Sequence, residues 1–141
     1  MSRIKVTIPA TATNIGPGLN VIGLALAMHM HIEMSPRADG QLQITMTGEG
    51  DDIVPTDFYN PALQSATRVF QQYEKAPAGL NISIGSEIPW DSGLGAETAM
   101  TVGALVAANN LIEGDLSRND IIRMACDMGL APTSVTAALM G

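Results

Sequence analysis

Aromatic residues make up only 4% of the 141-residue chain. A core therefore cannot rest on stacked rings and must be assembled from aliphatic side chains. Charged residues are also few, at 15% against 46% apolar, which is the opposite of the balance that keeps a chain disordered. Seven basic residues face 14 acidic ones, for a net charge of −7, and the basic ones form no cluster. That excludes the positive footprint of a nucleic-acid reader. Any bound polyphosphate would have to find positive potential in backbone amides and helix ends. There is one cysteine, Cys126, so no internal disulfide can form. It falls among apolar residues of a helical pattern and is expected to be buried and inert. No apolar run is long enough to cross a bilayer. The opening Met1-Ser2-Arg3-Ile4-Lys5 passes straight into a strand pattern without signal-peptide character, which reads as a cytoplasmic protein. With no repeat and no low-complexity linker, one domain over residues 1–141 is expected.

What is present is Ala, Val, Ile, Leu and nine Met, the last able to fill irregular gaps. Ile4 to Ile8 alternates as a half-buried strand does, and Pro9 ends it. A small-residue loop, Ala10 to Gly18, follows. The alternation of Leu24, Leu26, Met28, Met30 and Ile32 predicts a strand over residues 25–35. Pro36 to Gly40 reads as a turn, and residues 41–47 alternate again, giving an expected antiparallel hairpin. Asn60-Pro61 is a strong helix start, an Asn cap followed by Pro in the first turn. Ala62, Leu63, Ala66, Val69, Phe70 and Tyr73 then recur at helical spacing. Leu80, Ile82, Ile84 and Ile88 mark another strand. A small-residue helix is expected over about 97–112. Ser117-x-x-Asp120 reads as a capping box for a helix over 118–128, closed by Gly129, and residues 135–140 as a short final helix. Adjacent strands and clustered helices give an α+β fold, a mainly antiparallel sheet with helices packed on one face.

Chemistry concentrates between the last strand and the small-residue helix. In Trp90-Asp91-Ser92-Gly93-Leu94-Gly95, the glycines allow positive φ and close backbone approach to a ligand. The free N–H groups and dipole of the helix that follows make an anion site. On its own, a glycine turn before a helix is more often just a turn.

Four stretches in order carry a resemblance that covers nearly the whole chain. Pro9 through Leu26 resembles a motif that reads Pro-Ala-Thr-Ser-Ala-Asn-Leu-Gly-Pro-Gly-Phe-Asp, then two residues, then Gly-Leu-Ala-Leu. Asn60-Pro61 resembles the helix start that follows it. Ile88-Pro89 through Gly93-Leu94-Gly95 to Asn109 resembles a Gly-Leu-Gly-Ser-Ser segment opening a phosphate-binding helix. Pro132-x-x-Val135-x-x-Ala138-Leu139-x-Gly141 resembles a later Pro-Asp-Asn-Val-Ala-Pro-Ala-Leu-Leu-Gly segment. Together these resemble the amino-terminal domain of the GHMP small-molecule kinases, homoserine kinase being the nearest branch. The resemblance implies a ribosomal-protein-domain-2-like fold and ATP-dependent phosphorylation of a small alcohol, homoserine in that branch, in threonine biosynthesis. It implies substrate contacts from Asn14 and Asn20. It implies nucleotide and phosphate contacts from Asn60, Ser92, Gly93, Leu94, Gly95, Ala96, Glu97 and Thr98, with Mg2+ at Glu97 and Thr98. It also implies a carboxy-terminal domain that this chain does not contain.

Several positions depart from the pattern. Ala96 and Glu97 stand where the family has two serines. Glu97 is either a substitute metal ligand or a carboxylate that caps the helix and fills the anion site itself. Asn20 replaces an aspartate; an amide hydrogen-bonds but is a poor proton acceptor. Gly129 stands at the family's metal-binding glutamate, Leu130-Ala131 at glycine and histidine, and Thr133-Ser134 at Asp-Asn. An alternative function follows, a degenerate, inactive domain serving as a binding or assembly module. His29 and His31, two apart on a strand, are expected to be surface residues. The apolar segment 135–140 and the helix over 98–112 are expected to leave bare apolar surface. A homodimer or the missing carboxy-terminal half would then cover it.

Overall fold

A computed structural model describes residues 2–11 and 27–140 of the chain. The elements, in order, are β1 (Ile4–Pro9), β2 (His29–Arg37), β3 (Leu42–Gly48), α1 (Pro61–Tyr73), β4 (Gly79–Ser86), α2 (Ala96–Leu111), α3 (Arg118–Asp127) and α4 (Pro132–Met140). The four strands form one sheet in the order β1-β2-β4-β3. β1 and β4 both pair antiparallel with β2, while β3 runs parallel to β4. The fold is therefore α+β with a mainly antiparallel sheet, as expected.

The hairpin expected between residues 25–35 and 41–47 does not form. β4 lies between those two strands, and β3-α1-β4 is a parallel crossover. Burial explains the choice. Met30, Ile32 and Met34 of β2 are fully buried and Ile82 and Ile84 of β4 nearly so, whereas Leu42 of β3 is 37% exposed. The two most apolar strands take the centre, and the weaker pattern becomes an edge. Glycine permits the insertion: a Cβ at Gly79 would come within 2.6 Å of the Gln41 carbonyl oxygen, and Leu80 N–H donates to that same oxygen at 2.9 Å. β2 also runs on through Pro36, which lies past the start of β1, so that β2 there has only β4 as neighbour.

One face of the sheet holds Ile8, Met30, Ile32, Met34, Ile82 and Ile84, and all are buried under the helices. Burying each such side chain contributes roughly 1.5–3 kcal/mol. The opposite face is polar. His31 Nδ1 lies 3.0 Å from Thr7 Oγ1, and His29 Nδ1 lies 3.7 Å from Glu87 Oε1. Arg3 pairs with Glu33 across β1 and β2. Both histidines thus sit half-buried on the open face, the same side of the sheet.

α2 is the central helix, with 13 of its 16 residues buried. The expectation that it would leave a bare apolar flank is corrected. Its small residues let the sheet and the other helices close around it. α4 still leaves Met140 65% exposed. Cys126 is half-buried on α3 rather than buried; Ile121 and Ala125 are the residues of that helix that are buried. The caps form as the sequence predicts. Asn60 Oδ1 accepts from Ala62 and Leu63 N–H, and Ser117 and Asp120 make both bonds of a capping box. Tyr73 ends α1 and bonds to Asp115, just past the end of α2. The two helices therefore finish at the same end, and the loop before α1 lies at the end where α2 begins.

Candidate functional site

β4 delivers the chain to the site, and a short hydrogen-bonded series fixes the loop that follows. Ser86 Oγ donates to Ile88 C=O at 2.9 Å and accepts Ile88 N–H at 3.0 Å. Ser92 Oγ donates to Pro89 C=O at 2.7 Å and accepts Leu94 N–H at 3.2 Å. Ser92 thus spends its hydroxyl on shaping the turn. Asp91, Gly93 and Gly95 all have positive φ, at 61°, 77° and 79°. For Gly95 the need is double. It holds a left-handed conformation at the cap of α2, and a Cβ there would lie 2.2 Å from Thr11 Oγ1.

The result is a hollow of ≈ 170 Å³ lined by Trp90, Asp91, Ser92, Gly93, Gly95, Ala96, Glu97 and Thr98. At its base is the start of α2. Among the described residues, the backbone N–H groups of Ala96, Glu97 and Thr98 have no acceptor, since Ala99 N–H is the first to bond back, to Gly95 C=O at 2.8 Å. Three donors and a positive helix dipole face one small space. Thr98 is only 7% exposed, lines this hollow, and its hydroxyl has no hydrogen-bond partner among the described residues.

Glu97 settles differently from the capping reading. Its side chain is exposed and makes no hydrogen bond to the first-turn amides, so it does not fill the anion site. With Asp91, it puts two carboxylates on the rim of a site that otherwise favours anions. A polyphosphate entering alongside them would be repelled unless a cation intervened.

The other expected site residues fall elsewhere. Asn60 is fully buried and not in the hollow. Its Oδ1 caps α1, and its Nδ2 donates to Pro55 C=O at 2.8 Å. Asn14 and Asn20 lie outside the described residues. At the end of α3, Gly129 has φ +98°, and Leu130 and Ala131 bring no polar side chain to that turn. Among the described residues no three His, Cys, Asp or Glu side chains cluster as a metal site. A larger hollow of ≈ 430 Å³ lies between α1 and Met128, lined by Phe58, Leu63, Gln64, Thr67, Arg68 and Met128. The first turn of α1 borders it, but Asn60 Oδ1 already accepts the Ala62 and Leu63 N–H groups there. Thr11 is the site residue that sequence reasoning passed over. Its signal was only its place beside the small-residue loop, which does not reveal that it packs on Gly95.

Residues 60–141 match the GHMP kinases N terminal domain, which takes in α1, β4, the glycine loop and the last three helices. The chain belongs to the GHMP kinase family. It is 32% identical over 138 residues to homoserine kinase of Carboxydothermus hydrogenoformans, covering 98% of this chain and 45% of that protein. It is 39% identical over 138 residues to homoserine kinase of Caldanaerobacter subterraneus subsp. tengcongensis, covering 98% and 44%. The crystal structure of homoserine kinase from Cytophaga hutchinsonii superposes with a TM-score of 0.79 at 23% identity, over 100% of this chain and 47% of that one. Mevalonate kinase of Methanococcus jannaschii superposes with a TM-score of 0.73 at 16% identity, over 98% and 51%. These two likenesses establish the fold. The chain spans about half the length of the curated relatives it matches.

Proposed function

We propose that this chain is the nucleotide-holding part of an ATP-dependent phosphotransferase acting on the hydroxyl of a small, homoserine-like alcohol. The observation that carries the reading is the uncapped start of α2: three backbone donors with no acceptor among the described residues, and the side chain of Thr98, facing one hollow. Membership of the GHMP kinases and the likeness to homoserine kinases support the class of reaction and of acceptor.

Phosphoryl transfer asks the protein for position and charge rather than covalent chemistry. Gly93 and Gly95 bring the backbone close, and the amides of Ala96, Glu97 and Thr98 hold phosphate oxygens. The rim residues fit Mg2+, which binds through one or two carboxylates together with phosphate oxygens. Glu97 supplies the carboxylate, and Thr98 supplies the hydroxyl that Ala96 lacks. When bound, the ion neutralises charge on the phosphates. Asn14 and Asn20 hold the acceptor, and since neither is a base, the alcohol proton leaves with solvent or phosphate. Asn60 contributes by fixing the start of α1, at the same end of the helix layer.

The direct test is ADP release from ATP, Mg2+ and homoserine, by the chain alone and joined to the carboxy-terminal half of a related homoserine kinase. Release above background in the joined protein is expected. None in either form, with ATP affinity no better than millimolar by calorimetry, leaves the second reading, a domain that binds or assembles without turnover. The turn at Gly129, Leu130 and Ala131 favours that alternative, because it carries none of the polar groups the resemblance places there.

A further inference from the structure

We infer that Thr11 is a positioning residue: from just past the end of β1 it holds the glycine loop and the start of the phosphate-holding helix in place. The inference rests on the kinase reading above for its function, but its geometry stands apart from it. Thr11 is only 7% exposed. Its backbone N–H donates to Leu94 C=O at 2.9 Å, in the middle of the glycine loop. Its Oγ1 lies over Gly95, where it is the atom nearest to an added Cβ, at 2.2 Å, with Thr11 Cβ and N both at 3.5 Å. That hydroxyl has no hydrogen-bond partner among the described residues, so its role here is contact. One residue earlier, Ala10 N–H donates to Met28 C=O at 2.8 Å, tying together the two chain ends that flank residues 12–26.

Two constraints therefore meet at one threonine. The backbone bond fixes its height against the loop, and the side chain fixes how near α2 can come. Gly95 is the cap of α2, so a shift there moves the amides of Ala96, Glu97 and Thr98 with it. A displacement at Thr11 is thus passed to the phosphate-holding amides. In an in-line transfer, a misplacement near 1 Å costs up to about 100-fold in rate. Thr11 touches neither reactant in this account; it sets the place of the amides that do.

The test compares Thr11→Ser, which keeps an oxygen over Gly95, with Thr11→Ala, which removes it. Hydrogen exchange of the 141-residue chain without ligand comes first. Thr11→Ala is expected to raise exchange in peptides spanning 93–98, while Thr11→Ser leaves them near wild type. No change over 93–98 in Thr11→Ala overturns the clamp. Kinetics of the chain joined to the carboxy-terminal half of a related homoserine kinase come second. Thr11→Ala is expected to lower kcat about 10- to 100-fold, with KM for ATP and for homoserine unchanged and with rescue by Thr11→Ser. A raised KM at unchanged kcat overturns the inference, because it marks a direct ligand contact. A wild-type protein without turnover would sink the kinase reading, while the exchange result would still decide the clamp.

Discussion

The two ends of α2 are built on opposite plans. At its start, Gly95 caps the helix in a left-handed conformation, and the first three amides have no acceptor among the described residues. At its far end the polar groups are matched. Ile112 N–H returns to Ala108 C=O, and Gly114 N–H bonds Asn109 C=O at 2.8 Å. Asn109 Oδ1 accepts Leu116 N–H at 3.2 Å, and Lys75 Nζ donates to Ile112 C=O at 3.1 Å. Tyr73 OH bonds Asp115 twice, donating to its carboxylate and accepting its N–H at 2.9 Å. The lysine also complements the negative end of the helix dipole. Capping a helix start with glycine rather than with a side-chain acceptor costs only about a few tenths of a kcal/mol. The far end carries the bonds that let the fold tolerate this. One helix thus separates stability from binding capacity along its own length, and a change at either end should reveal which it serves.

The largest effect is expected at the open end. Glu97→Gln removes a unit charge from the rim, worth ~1–4 kcal/mol at about 4 Å between water-like and surface-like screening. Calorimetry should show ATP binding more weakly in the presence of Mg2+ and more tightly in its absence. Tighter binding in both conditions would show that Glu97 does not hold the metal. Next comes the closed end. In Gly114→Ala, the new methyl would lie 2.3 Å from Asn109 Oδ1 and 3.1 Å from the Tyr73 ring. Overpacking of this kind costs about 1–3 kcal/mol. The urea midpoint should fall accordingly, while nucleotide affinity per folded molecule stays the same. An equal loss of affinity would dissolve the distinction between the ends. Smaller again is Thr98→Val, which removes the hydroxyl without changing shape. It should weaken Mg2+-ATP binding by about 0.5–1.5 kcal/mol, the worth of one hydrogen bond, with little change in the urea midpoint.

This separation was only partly legible in the sequence. The caps at Asn60 and Ser117 were readable because a capping residue acts on amides two or three positions away. Helix α1 was readable from periodicity, α2 from its run of small residues, and α3 from its capping box and stop signal. Strand order was not. Residues 25–35 and 41–47 read as a hairpin because they are neighbours in sequence, while the real partner of β3 arrives after a helix. Only relative burial, and the close passage of Gly79 by Gln41, select β4 for the centre. At the site, the glycine loop and its helix were legible as a turn before a helix, and it was the family resemblance that singled them out. The posture of Glu97 was not, because a carboxylate at a helix start looks the same in sequence whether it folds back on the amides or points away. Thr11 was invisible for the same reason: its importance lies in a contact with Gly95, 84 positions along the chain. The asymmetry of α2 was equally hidden, since Tyr73, Lys75 and Asp115 come together only in three dimensions.

The smallest predicted effect is a pH dependence confined to the closed end. The hydrogen bond from Tyr73 to the Asp115 carboxylate raises the phenol above its usual pKa of 10.0, and partial burial and the negative charges of Asp115 and Asp120 add to the shift. A folded-state pKa above the unfolded value means that the native state holds its proton longer. The stability this bond contributes is therefore fully present below pH 10 and is lost as pH rises through the raised value. Tyr73→Phe lacks both the hydroxyl and its titration. At pH 8, wild type should be the more stable of the two in urea unfolding, and the gap should narrow as pH climbs past about 10. Working with the difference between the two proteins cancels whatever else both share. A gap that stays constant or widens over that range would mean that Tyr73 does not hold the end of α2 through its proton. ATP affinity measured at the same pH values should show no corresponding difference between the two proteins, because the open end of the helix carries none of these groups.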